Sequence, residues 1–425
     1  MVRVYLETYG CSANQAHSEV MLGLLSRAGC EIVGEENADV VILNTCIVKN
    51  PTESKMRNRI RELSRKKLVV AGCMAEVEPE VIRDIAPSAS LLGPSWCRKV
   101  GEAVKKVHDG LRVEYVGERK EEKVRLPRIR KNPYIHISEV SEGCLGNCSY
   151  CIVKKAKGSL KSFSPEMIVE DIEKSVSSGC KEVWLTSQDM ASYGFDIGSS
   201  LPELLERILE IPGRFRVRVG MMNPNTLKRI EDEMVEIYRN EKMYRFLHIP
   251  VQSGSDSVLK RMRRGYTADE FLQMVDRFRE SIPDISIWTD IIVGFPGESD
   301  EDFEMTIDLM KRIEPEHTNV SRFGARPGTD AAKMKGLPSD VIRERSRVIS
   351  ELVREIRNRK LKGLIGEERT VLFTDMRNGF SLGRDESYRP VMVRDSLKGE
   401  FLRVRITDTK GGVLIGEVQR KNGKK

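Results

Sequence analysis

SEGCLGNCSYC, residues 141–151, sets Cys144, Cys148 and Cys151 in a C-x3-C-x2-C spacing directly after the strand-like run YIHISEV at 134–140. The three cysteines therefore fall on one loop at the carboxyl end of that strand. Cysteine thiolates are the usual ligands of iron–sulfur clusters, and three of them on a four-iron cluster leave one iron open. A zinc site would want a fourth Cys or His nearby, and the nearest histidine, His136, lies upstream inside the strand. Burial as a small hydrophobe accounts for one cysteine more easily than for three in a row.

Working outward, five more strand candidates follow: KEVWLTSQ, FRVRVGMM, YRFLHIPV, ISIWTDIIVGF and HTNVSRF. Helical patterns such as PEMIVEDIEKSVSSG and DEDFEMTIDLMKRI separate them. Six βα units over residues 133–340 predict a partial (β/α)6 barrel, short of the eight of a closed one, with its site at the carboxyl ends of the strands. Upstream, residues 1–110 alternate RVYLETYG, SEVMLGLLSRAG, ADVVILNTC, KMRNRIRELSRK and KLVVAGC. Apolar strands separated by helices indicate a parallel sheet covered on both faces, a flavodoxin-like domain. A charge-dense stretch, GERKEEKVRLPRIRKNP at 117–133, reads as the linker between the two. Downstream, 341–361 form a basic amphipathic helix, and 362–425 carry short alternating strands with glycine turns, as in a small OB-like β-barrel. The fold class is α/β with this barrel appended.

The bulk numbers agree with a soluble globular protein. Hydrophobic residues make up 40% of the 425 and charged residues 32%, and no apolar run approaches the roughly 18 residues of a membrane span. The N-terminus lacks a signal peptide's basic head and apolar stretch, so a cytoplasmic location is expected, with no membrane partner. There nine cysteines are kept reduced. The net charge of +7 is uneven: residues 341–425 hold 21 Lys/Arg against 12 Asp/Glu, leaving the first 340 at −2. A basic end on a near-neutral body suggests contact with a polyanion, RNA first, against the plainer reading of a solvated charged surface.

A second triplet is spread along the chain. Cys11 follows RVYLETYG, Cys46 follows VVILNT and Cys73 follows LVVAG. In a parallel sheet the carboxyl ends of the strands share one edge, where the three can converge. Cys30 and Cys180 follow helix ends and enter strands, which puts them at the opposite edge as buried residues. Cys97 lies in a loop and is ambiguous.

C-x3-C-x2-C after the first strand of a six-unit barrel resembles the radical S-adenosylmethionine (SAM) superfamily. That resemblance implies a [4Fe–4S] cluster whose open iron holds SAM and whose electron yields a 5′-deoxyadenosyl radical. YGCSANQAHSE, LNTCIVKNPTE, VAGCMAE, HIPVQSGSDSVLKRMRRGY and DIIVGFPGE extend the likeness over nearly the whole chain, to the methylthiotransferase branch. The branch implies a second [4Fe–4S] cluster on Cys11, Cys46 and Cys73, a second SAM as methyl donor, an electron donor such as ferredoxin or flavodoxin, and a sulfur source. The C-terminal module resembles the TRAM domain, an RNA-binding barrel. CSYCIVKKAKGSLKSFSPEMIVEDI and VWLTSQDMASYGFDIG are similar to the archaeal and eukaryotic branch that acts on N6-threonylcarbamoyladenosine beside the anticodon, position 37, of tRNA. Isopentenyladenosine in tRNA and a ribosomal-protein aspartate are the alternative substrates in the wider family, and a non-catalytic RNA-binding protein with structural clusters is the alternative of another class.

Around SAM or substrate the strand ends suggest Ser187, Gln188 and Asp189, then Gln252 and Ser253, then Gly294 to Glu298, with turn and capping roles as the competing explanation for the Ser and Gly positions. Lys157 is placed with the cofactor-binding set; it stands where relatives usually carry Arg, keeping charge but losing the bidentate fork. Arg263 and Arg264 are candidates for substrate or tRNA contact. Phe246, Tyr193 and Trp288 are candidates for stacking a purine or filling the core; His17 and His248 carry no ligand spacing.

Overall fold

A computed structural model describes residues 1–47, 50–117 and 121–419. Val48 and Lys49 of LNTCIVKNPTE, residues 118–120 of the linker and 420–425 of the C-terminal module lie outside the described residues.

The N-terminal sheet is built from β1 (Arg3–Thr8), β2 (Glu31–Ile32), β3 (Val40–Thr45), β4 (Leu68–Gly72), β5 (Ser90–Leu92) and β6 (Glu114–Tyr115), all parallel, in the order β2-β1-β3-β4-β5-β6. The strands are apolar on both sides because both are covered. Val4, Val40, Ile42 and Val69 pack with Met21, Leu25 and Val104 on one face. Val41, Leu43, Val70 and Leu91 pack with Ile60, Leu63 and Ile82 on the other. The order reverses between β1 and β3, a topological switch point, which is where such sheets open a crevice at their carboxyl edge.

The central domain carries β7 (Ile135–Glu139), the small antiparallel pair β8 (Ser141–Glu142) and β9 (Lys161–Ser162), then β10 (Glu182–Thr186), β11 (Arg216–Val219), β12 (Phe246–His248), β13 (Ser286–Val293) and β14 (His317–Arg322). Two parallel sheets, β11-β10-β7 and β12-β13-β14, meet through a bridge between Val217 and Met243, giving six strands around one lumen. All six predicted strands are present. Helix Ser12–Arg27 lies against β7 and helix Ser339–Lys362 against β14, the two edges of the open barrel. No helix among the described residues is long and apolar enough to cross a membrane.

The C-terminal strands β15 (Glu368–Arg377), β16 (Phe380–Arg384), β17 (Pro390–Val393), β18 (Glu400–Lys410) and β19 (Val413–Val418) close into a barrel in the order β15-β16-β17-β19-β18. The stretch FSLGR of β16 gives no strand signal in the sequence, being short and interrupted by Gly383, whose bare Cα lets β15 approach.

This barrel is fastened to the floor of the central one. Asp284, just before β13, accepts from Ser387 Oγ and from the guanidinium of Arg389 at 2.5 Å, and pairs with Arg369. Tyr388, held in a left-handed conformation (φ 62°), inserts its ring among Tyr244, Phe246 and Trp288, with the Phe246 centroid at 4.8 Å. Burial alone would raise the Asp284 carboxyl, but the two arginines outweigh it and hold it at about 2. A depressed carboxyl stabilises the fold above its unfolded value near 4 and loses that contribution as pH falls toward 2. Asp284→Asn leaves two arginines facing each other and should lower stability by about 3 kcal/mol at neutral pH, with the gap to wild type narrowing below pH 4; denaturant melts at pH 7 and pH 3 check both.

Candidate active site

The triplet Cys144, Cys148 and Cys151 sits where β7 and the short strand β8 end. The backbone N–H of Cys144 donates to Gly158 O at 3.3 Å, folding the loop back on itself. Gly146 N–H donates to Cys144 Sγ at 3.2 Å, and Arg264 Nη1 to Cys148 Sγ at 3.3 Å. A side chain at Gly146 would stand 3.3 Å from Cys144 Sγ and 3.9 Å from Cys148 Sγ, so the loop bares its backbone where the sulfurs gather. Burial raises the Cys144 thiol, and the Gly146 N–H opposes that rise.

The second triplet occupies the switch point. Cys11, Cys46 and Cys73 follow β1, β3 and β4, three neighbouring strands. Gly10 (φ 109°) has no room for a Cβ, which would lie 2.6 Å from Cys46 Cβ; Gly72 (φ 89°) is confined likewise by the Thr45 carbonyl. Asn14 Nδ2 donates to Tyr9 O and Thr45 O, tying the β1 and β3 ends together, and Asn44 Nδ2 donates to Asn14 O and Ser18 Oγ. Burial pushes the Cys73 thiol up to about 12, Lys157 opposing and the Cys46 and Cys11 sulfurs adding to the rise. Cys73 thus lies within electrostatic reach of both other sulfurs.

Both triplets fit a polynuclear cluster better than a single ion. A tetrahedral zinc would draw sulfurs to about 3.8 Å from one another. Among the described residues, the only three potential ligands with donor atoms all within 4.8 Å are His17, Glu139 and Glu142, and two lysines occupy that place. Lys123 Nζ donates to Glu142, Lys157 Nζ donates to Glu142 at 3.1 Å and Glu139 at 3.4 Å, and His17 Nε2 donates to Glu139 at 2.5 Å. Burial holds the His17 imidazolium pKa down despite Glu139, so with His17 neutral two ammoniums balance two carboxylates.

This buried network joins the two triplets. Lys157 ends the helix Val153–Lys157 that begins just after Cys151, and Ala156 of the same helix packs with Cys73 and Met74. Five helical residues span about 7.5 Å, so the two sets of cysteines face each other across one short helix. Ser12 Oγ and Thr186 Oγ1 meet at 2.9 Å, and Arg326 pairs with Glu53 on the same seam. Lys123 comes from the stretch taken in the sequence as a linker. In its described part Glu121, Lys123, Val124 and Leu126 are buried, so it is packing material between the domains, not a solvated spacer. His17, Lys123, Glu139, Glu142, Asn14 and Asn44 carry no spacing signal; only the fold brings them together.

Other sequence candidates fall in different places. Ser187 Oγ and Gln188 Oε1, at the end of β10, are buried without a hydrogen-bond partner, as expected of groups facing a ligand. Asp189 is engaged instead, accepting from Asn223 N at 2.9 Å and Thr226 Oγ1 at 2.7 Å. Gln252 adopts φ 75° in the bridge to Ile291, a strained position beside the lumen. Ser253 is fully buried in a turn with Ser255 N and Thr306 Oγ1. Gly294 packs on Ile342, and its N–H donates to Glu298, whose carboxylate also takes Arg345, so GFPGE secures the Ser339–Lys362 helix. Arg263 is exposed and pairs with Asp330 at 2.8 Å, whereas Arg264 is buried against Cys148 and Pro250 O. Tyr193 is core, its hydroxyl donating to Phe163 O, and Phe246 lies under Tyr388. Cys30 and Cys97 are core residues of the N-terminal sheet, and Cys180 is buried.

Known families match the chain in sequence: the uncharacterized protein family UPF0004 at residues 3–93, the Radical SAM superfamily at 138–310 and the TRAM domain at 362–419. Among solved structures, the radical S-adenosylmethionine methyltransferase TsrM from Kitasatospora setae aligns with a TM-score of 0.57 over 78% of this chain and 75% of its own, at 16% identity, a likeness of fold. Fold and cysteine-lined mouth together define a radical-SAM enzyme, which uses SAM and a [4Fe–4S] cluster. A Methanothermobacter thermautotrophicus protein named probable threonylcarbamoyladenosine tRNA methylthiotransferase is 44% identical over 98% of this chain and 99% of its own. A Drosophila melanogaster protein named threonylcarbamoyladenosine tRNA methylthiotransferase is 39% identical over 98% and 77%. The chain belongs to the threonylcarbamoyladenosine tRNA methylthiotransferase family.

Proposed function

We propose that this enzyme converts N6-threonylcarbamoyladenosine at tRNA position 37 to its 2-methylthio derivative, with one [4Fe–4S] cluster on Cys144, Cys148 and Cys151 and a second on Cys11, Cys46 and Cys73. The observation that carries the reading is the pair of cysteine triplets set across one short helix at the barrel mouth. Bound there, the clusters and two SAM molecules would supply the adenosyl radical, the methyl group and the sulfur that is methylated and transferred. The chain does the rest. Gly146 N–H and Arg264 donate to the sulfurs of Cys144 and Cys148 and orient them, and Ser187 and Gln188 offer unspent polar groups to the ligand. The charge-balanced network around Lys157 holds the N-terminal domain in register with the barrel. Tyr388 fills the floor and excludes water from below. The Lys and Arg excess of residues 341–425, concentrated in 341–361 and 420–425, meets the tRNA phosphates, and an anticodon loop offers an unpaired base that can enter the mouth. The reaction belongs to the cytosol and draws on an electron donor of the ferredoxin or flavodoxin kind and on a sulfur source.

Nucleosides from the tRNA of a strain lacking this gene test the reading by mass analysis. The expected result is loss of the methylthio derivative with its threonylcarbamoyl precursor retained. An unchanged level would overturn it, and loss of methylthiolated isopentenyladenosine or of a modified ribosomal aspartate would transfer the activity to those substrates.

A further inference from the structure

The substrate just proposed differs from adenosine by a substituent on N6 that ends in a free carboxylate and a hydroxyl. A carboxylate taken out of water needs a cation with unspent donors, because burying it unpaired is very unfavourable. The barrel lumen holds such a group. Arg218 of β11 is partly buried, its Nε is sequestered from water with no hydrogen-bond acceptor, and its guanidinium forms no salt bridge or side-chain hydrogen bond among the described residues. It is boxed by aromatic rings instead, its central carbon lying 5.0 Å from the Phe246 centroid, 5.4 Å from Tyr388 and 5.8 Å from Trp184.

Its height in the barrel suits a tail that enters from the mouth. Arg218 is in register with Trp184, and Trp184 with Ile137. One lumen-facing step nearer the mouth on the same strands lie Thr186 and Glu139, which already touch Ser12 and His17 of the N-terminal domain. Of the carboxylates around Arg218, Glu182 lies within electrostatic reach of the guanidinium without a salt bridge to it, and burial raises the Glu182 carboxyl. Glu182 accepts from Trp184 Nε1 at 2.6 Å, and Asp290 accepts from His248 at 2.7 Å and from Asn319 at 2.8 Å.

We propose that Arg218 is the specificity-determining residue of this enzyme, receiving the threonyl carboxylate of the substrate inside the lumen. The inference rests on the reading under Proposed function. The rings fix the guanidinium plane and keep water from competing, so a bidentate carboxylate pair forms without rearrangement. A neutral N6 substituent would leave Arg218 unpaired and be discriminated against.

The test uses the reconstituted holoenzyme and two tRNA anticodon stem-loops, one bearing N6-threonylcarbamoyladenosine and the other its threonine-amide counterpart, with kcat/KM measured by nucleoside mass analysis. Wild type should prefer the acid by about ten- to hundredfold, the range for a hydrogen bond to a charged group. Arg218→Gln should bring the acid-to-amide ratio near unity, mainly through KM for the acid, and Arg218→Lys should keep part of the preference. A role confined to holding Tyr388 would slow both substrates alike and leave the ratio intact. That result overturns the proposal, as does a wild-type enzyme that accepts acid and amide equally. The wild-type ratio needs no substitution, so it decides even if Arg218→Gln fails to fold. Should wild type methylthiolate neither loop, the failure lies with the proposed reaction and not with Arg218 alone.

Discussion

Cys46→Ala is expected to abolish the methylthiolated nucleoside while leaving reductive formation of 5′-deoxyadenosine in place. Cys46 lies at the sheet switch point, contacting the Gly10 turn and taking Met56 Sδ as acceptor for its N–H. Removing one sulfur atom from so small a side chain destabilises the sheet by only about 1 kcal/mol, so the loss of product would be chemical. Iron analysis makes the claim quantitative. Two four-iron clusters give about eight irons per chain, and about four should remain after Cys11, Cys46 and Cys73 are all replaced. Cys148→Ala should show the opposite pattern, losing 5′-deoxyadenosine and product together. If Cys46→Ala retained methylthio transfer, or if wild type held only about four irons, the second cluster and the sulfur route through it would be wrong.

Lys157→Met should have the largest effect on stability. The side chain is buried to within a few per cent, beside carboxylates exposed by 5% and 8%. With Lys157 gone, Lys123 alone faces Glu139 and Glu142, and an uncompensated negative charge is left in a dry interface. Breaking a buried pair from one side typically destabilises by about 3–5 kcal/mol. Because the network joins helix Ser12–Arg27, the described linker, β7, β8 and the helix after Cys151, the damage should appear as loosening between the N-terminal domain and the barrel. Limited proteolysis combined with denaturant melts reads this, and a variant as stable as wild type would show the network to be dispensable. Lys157→Arg is the informative companion: the larger fork must fit where a single ammonium bridges two carboxylates.

Much of this was legible in the sequence because its signals are local. Apolar runs such as VVILNT and ISIWTDIIVGF mark strands whatever surrounds them, and a cysteine just past such a run is placed at a sheet edge by topology alone. The rest depends on what meets across the fold. Lys123 looks like a solvated linker charge until the packed linker brings it to Glu142. Ser253 and Gly294 sit at strand ends as ligand residues do, and the fold adds a turn with Thr306 at one and the Glu298–Arg345 anchor at the other. Arg263 and Arg264 are adjacent in sequence, but the left-handed turn at Arg263 sends one to the surface and the other to the Cys148 sulfur.

The Tyr388 ring imposes a rule of traffic. With the floor stopped from below and the barrel edges lined by helices Ser12–Arg27 and Ser339–Lys362, the mouth beside the cysteines serves as the shared doorway for SAM, the incoming nucleotide and the spent fragments. A bulky nucleic acid parked there blocks it. The expected order is therefore SAM before tRNA, with methionine and 5′-deoxyadenosine departing after the tRNA. Excess tRNA added ahead of SAM should slow the first turnover, and an order-independent rate would mean that a second exit exists.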